Sequence, residues 1–65
     1  MKKELVIGKN YIDIFGVTDP KKKLIYKGEN NWLAVNGDKE MTKNDPATSK
    51  KVLDYINQAS YRIGP

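Results

Sequence analysis

From Glu4 to Thr42 the chain consists of short runs of β-branched and aromatic residues separated by turn signals, whereas after Asn44 its apolar residues recur at three- and four-residue spacing. The first pattern is that of an antiparallel meander, the second that of one amphipathic helix. Strands are predicted over residues 4–7, 11–17, 22–27, 31–35 and 38–42. The chain breaks at Gly8-Lys9-Asn10, Thr18-Asp19-Pro20-Lys21, Gly28-Glu29-Asn30 and Asn36-Gly37. Pro20 presets φ for a turn. Asn36-Gly37 is the strongest hairpin signal, because both residues tolerate the positive φ of a type I′ turn. Asn44-Asp45-Pro46 reads as a helix start: Asp45 can accept from free N–H groups of the first turn, and Pro46 lacks the donor that would be orphaned there. Val52, Ile56, Ala59 and Ile63, flanked by Leu53, then form a face that must dock on the sheet, and Gly64-Pro65 ends the helix. The fold class expected is α+β: a small antiparallel β-meander of four or five strands, open or curled into an SH3-like barrel, with one C-terminal helix.

Alternation also sorts the side chains by face. Ile12 and Ile14 oppose Tyr11, Asp13, Phe15 and Val17; Leu24 and Tyr26 oppose Lys23, Ile25 and Lys27; Leu33 and Val35 oppose Trp32 and Ala34. If the helix covers Ile12, Ile14, Leu24, Tyr26, Leu33 and Val35, the other face displays Tyr11, Phe15, Ile25 and Trp32 beside Lys23 and Lys27. A face of aromatics and lysines suits nucleic acid, since the rings offer stacking or a wedge and the ammonium groups meet phosphates. Asp13 on that face counts against a phosphate-binding surface. The alternative is that the meander curls so that Trp32, Phe15 and Tyr11 are simply core.

Length and composition narrow the field. At 65 residues there is room for one domain spanning residues 1–65, and its stability margin must be thin. The chain has no Cys and no His, so disulfides, thiolate zinc sites and imidazole ligands are excluded, and no cofactor or metal is expected. Twelve Lys and Arg against eight Asp and Glu give a net charge of +4. Only Arg62 among these cations carries the planar fork that reads base edges, which points away from sequence-specific recognition. The longest apolar run near the N-terminus, Leu5-Val6-Ile7, is too short for a signal peptide or a membrane span, so a soluble, cytoplasmic protein is expected.

Enzymatic chemistry finds few parts. General acid-base work would fall on Asp, Glu, Lys or Tyr, and none of these is suggestively grouped; Asp38 and Glu40 read as solvated charges beside a tight turn. No phosphate-binding, dinucleotide-binding or calcium-loop pattern is present. Lys21-Lys22-Lys23 reads as a solvated edge that deters strand pairing, and Lys43, Lys50 and Lys51 as the solvent side of the helix region. The layout, a short basic meander closed by a helix introduced by Asn44-Asp45-Pro46 and continuing through Lys50-Lys51-Val52-Leu53, resembles small archaeal chromatin proteins of the SH3-like type, without their lysine density. The expected function is therefore a small, non-enzymatic, largely sequence-nonspecific nucleic-acid-binding protein that uses Tyr11, Phe15, Lys23, Ile25, Lys27 and Trp32. The alternative is a small regulatory module, bacterial or viral, that attaches to a partner protein or closes a homodimer through the same patch or a free strand edge.

Overall fold

The computed structural model describes residues 2–62, with side chains as far as Gln58. A 3-10 turn at Ile12–Phe15 precedes three strands, β1 (Lys22–Gly28), β2 (Asn31–Asn36) and β3 (Lys39–Asn44), and a helix α1 (Pro46–Arg62). The strands form one antiparallel sheet in the order β1-β2-β3. The class is thus α+β as expected. Among the described residues, however, the sheet has three strands rather than four or five.

The two N-terminal segments expected as strands are not strands. Residues 4–7 form an irregular strap that enters a turn at Ile7, where Lys9 N–H donates to Val6 O at 3.1 Å, and residues 11–17 contain the 3-10 turn. Asn10 accounts for the second difference: its Oδ1 accepts the N–H of Ile12 at 3.0 Å and that of Leu24 at 2.9 Å, which gives the backbone a local alternative to the ladder. The turn places Tyr11 and Ile14, three residues apart, toward the same core, and Gly16 ends it at φ 77° with its N–H donated to Asp13 O. The strap still covers the edge of β1. Gly8 N–H donates to Tyr26 O at 2.7 Å, Tyr26 N–H to Lys9 O at 3.1 Å and Tyr11 N–H to Leu24 O at 2.7 Å. Asn57 on α1 clasps the start of the strap, its Oδ1 accepting from Lys3 N–H at 2.7 Å and its Nδ2 donating to Lys3 O at 3.2 Å.

Both hairpins differ from expectation in detail. Between β1 and β2 the loop is Glu29-Asn30, with φ of 51° and 65°, the signature of a type I′ turn. Between β2 and β3 the loop is Gly37-Asp38, because Asn36 pairs with Lys39 and extends β2. Only Gly37, at φ 67°, needs the left-handed region there, so the turn sits one residue later than the Asn36-Gly37 reading placed it.

The helix start is the one expected. Asp45 accepts from the Thr48 N–H through Oδ1 at 3.2 Å and from the Thr48 hydroxyl through Oδ2 at 2.6 Å, with Pro46 at the first helical position. The Asp45 N–H donates to Asn30 O at 2.7 Å, which ties the helix start to the β1–β2 turn. Val52, Leu53 and Ile56 turn inward as the periodicity requires. Ala59 and Ile63 lie outside the described side chains.

The core is small. Tyr11, Trp32 and Val52 are buried, with Leu5, Ile14, Leu24, Tyr26 and Ile56 packed around them. Trp32 sits at its centre, 5.9 Å from the Tyr11 ring in an edge-on arrangement and 4.9 Å from that of Tyr26. Its indole N–H donates to Ser49 Oγ at 2.9 Å, so the polar atom that burial would orphan is satisfied by the helix packed over it. The Tyr11 hydroxyl similarly accepts the Val6 N–H at 2.8 Å.

Candidate functional surfaces

The six residues singled out in the sequence do not share one exposed face. Trp32, 1% exposed, and Tyr11, 3% exposed, lie in the core under α1. Phe15 is on the helix side too, its ring 5.3 Å beneath the Lys51 ammonium. Lys23 and Ile25 stand on the opposite face of the sheet. Lys27 occupies a β-bulge between Tyr26 and Gly28 and borders a groove with Leu5, Ile7 and Leu53 at the strap end.

That bulge explains why the face assignment fails. From the pair Gly28↔Asn31 a regular ladder would set Tyr26 opposite Leu33, bringing Leu24, Tyr26, Leu33 and Val35 to one face. The extra residue on β1 shifts the pairing to Tyr26↔Trp32 and Leu24↔Ala34, which turns every β2 side chain over relative to β1. Trp32 therefore joins Leu24 and Tyr26 beneath the helix, while Leu33 and Val35 join Ile25 on the other side.

The face away from α1 is the larger consequence. Two rows cross it, Lys23–Val35–Glu40 and Ile25–Leu33–Thr42. Ile25, Leu33 and Val35 are half-buried among their neighbours, and Lys23, Glu40 and Thr42 are exposed. A polar clasp closes one end, where Asn44 Nδ2 donates to Glu29 O at 3.0 Å and to Asn31 Oδ1 at 3.2 Å. The helix, the strap and the 3-10 turn all pack on the Trp32 side, so among the described elements no second layer stands on this face. Leu33 and Val35 are the residues that sequence reasoning misplaced; the missing signal was the bulge, which Gly28, at φ 94°, flanks.

On the helix side an aromatic and basic group does form, from other residues. Phe15 and Tyr55 are exposed, and Lys51 lies over the Phe15 ring one turn before Tyr55. Lys50 beside them is paired with Asp54 at 2.9 Å, and that contact raises the Lys50 ammonium above its ordinary pKa. The Thr48 hydroxyl, followed by the Thr48 N–H and Lys43, holds the Asp45 carboxyl below its usual range, consistent with its capping geometry.

The third surface is the outer edge of β3, which is exposed along its whole length and has no strand beside it among the described residues. Lys39 and Lys43 on this strand are the usual protection against unwanted pairing. No described helix is long and apolar enough to cross a membrane. Comparison with protein-family models, curated proteins and solved structures returned no match.

Proposed function

We propose that this chain is a small, non-enzymatic, cytoplasmic protein-binding module that works through the sheet face opposite α1. The observation that carries this reading is the row structure of that face: Ile25, Leu33 and Val35 make an aliphatic strip with charged residues only at its margins. Interfaces between proteins have this make-up, an apolar centre and a polar rim. A stacking surface for bases needs aromatic planes, and of the three rings expected to supply them Tyr11 and Trp32 are enclosed in the core and Phe15 stands on the helix side.

Nucleic-acid binding is the second reading, moved to the helix side, where Phe15, Lys51 and Tyr55 combine exposed rings with a cation. The net charge of +4 favours polyanions in the same way. Titration of labelled duplex and single-stranded DNA at low and high salt separates the two readings. The protein-binding reading expects no binding beyond a weak association that high salt abolishes and that Phe15→Ala leaves unchanged. Binding that falls when Phe15→Ala and Lys51→Glu are introduced, and that weakens steeply with salt, would replace it with the nucleic-acid reading.

A further inference from the structure

The bare sheet face has a charge arrangement that suits one kind of protein partner in particular. Lys23 lies on β1 and Glu40 on β3, in the same row, with Val35 of the central strand between them. The row is therefore positive at one edge, apolar in the middle and negative at the other edge. We propose that the partner is a second copy of this chain, stacked face to face about a twofold axis running parallel to β2. The inference rests on the protein-binding reading of this face.

A twofold axis along β2 lays β1 of one copy over β3 of the other. Each Lys23 then faces the Glu40 of the second copy, and the contact occurs twice by symmetry. Val35 meets Val35 and Leu33 meets Leu33 on the axis, while Ile25 meets the methyl group of Thr42. The other in-plane twofold, perpendicular to the strands, would instead set Lys23 over Ile25 and Glu40 over Thr42, putting both charges against uncharged groups. Both twofolds keep the strands of the two sheets aligned as face-to-face packing requires, so the charge pairing decides between them. Pairing also addresses the thin core, since it removes Ile25, Leu33 and Val35 from water. Three short strands offer less than the roughly 800 Å² per partner of a standard interface, so the dimer should be weak and reversible.

Sedimentation equilibrium from micromolar to millimolar protein tests the proposal. Wild type should dimerise with rising concentration, and Leu33→Lys should remain monomeric with unchanged Trp32 emission, showing that it is folded. Lys23→Glu and Glu40→Lys should each weaken the dimer roughly tenfold, because both symmetry-related pairs become repulsive. The double variant K23E/E40K should recover most of the wild-type affinity.

A wild type that stays monomeric, or a dimer indifferent to Leu33→Lys, overturns the proposal. So does a dimer that Leu33→Lys breaks but K23E/E40K fails to restore, since the copies then meet in another orientation. The underlying reading is judged separately with an environment-sensitive dye on Asp38→Cys, the only thiol of that variant, at an exposed position in the β2–β3 turn beside the face but outside the proposed contacts. If the chain is monomeric but the dye shifts on adding extract of the host cells, and Leu33→Lys abolishes the shift, self-pairing falls and the protein-binding reading stands. No shift with either self or extract removes both.

Discussion

The two faces of the sheet are made from the same strands and differ in what they do with their apolar residues. Beneath α1, Trp32, Tyr26 and Leu24 join Tyr11 and Val52 in a core where even the indole N–H has a partner. On the far side, Ile25, Leu33 and Val35 are only half-buried, with no described element packed over them. Apolar burial is therefore concentrated on one face. The difference arises at a single bulge, so the division of labour between the faces depends on Lys27 and Gly28, neither of which lies on the sheet's central strand.

Substitutions on the two faces should separate cleanly. Trp32→Ala should cost about 3–5 kcal/mol, as large a share of stability as a domain of this size holds, and leave the chain largely unfolded in urea titrations followed by circular dichroism. Leu33→Lys, at the paired position on the bare face, should change the urea midpoint by the equivalent of less than about 1 kcal/mol. Equal losses from the two would mean that the faces are not distinct. Ser49→Ala tests one atom of the core: it leaves the buried Trp32 N–H unpaired and should cost roughly 1–3 kcal/mol, whereas a cost near zero would mean that water reaches the indole.

Smaller effects sharpen the picture at the margins. Asn57→Ala should release the clasp on Lys3 at a cost of roughly 1 kcal/mol, read as faster amide exchange at Lys3 while the β1–β2 ladder keeps its protection. Acid should act through Asp45. Its carboxyl titrates below the usual carboxylate value because Thr48 and Lys43 favour the charged form. The cap's contribution is thus fully present above the ordinary carboxylate pKa and is lost as pH falls through the lowered one. The Thr48 amide should lose protection over that range, and Asp45→Asn should remove most of the pH dependence while keeping a cap.

Much of the helix was legible in the sequence because its signals are local. Asp45 and Pro46 mark its start by chemistry that needs no tertiary partner, and Val52, Leu53 and Ile56 mark its buried side by spacing. The positions of β1, β2 and β3 were also legible to within a residue or two. The N-terminal segments were not, because alternation in Tyr11-Ile12-Asp13-Ile14 fits a strand as well as it fits a 3-10 turn, and the choice falls to hydrogen bonds from the side chain of Asn10 to Ile12 and to the distant Leu24. The candidate site was misread for a related reason. Alternation sorts residues within a strand but says nothing of how two strands are phased, and one bulged residue reverses that phase. Trp32 consequently moved from the exposed set to the core, while Leu33 and Val35 moved the other way; Tyr11 reached the core separately, through the 3-10 turn that follows it.

The emission of Trp32, the only tryptophan in the chain, tests the central claim most directly. A core position under α1 predicts blue-shifted emission that iodide does not quench, unchanged in Leu33→Lys and lost when the fold is unfolded in urea. Red-shifted, readily quenched emission from the folded protein would place Trp32 on the open face, contradict the division between the two faces and return the aromatic residues to the surface as a stacking platform.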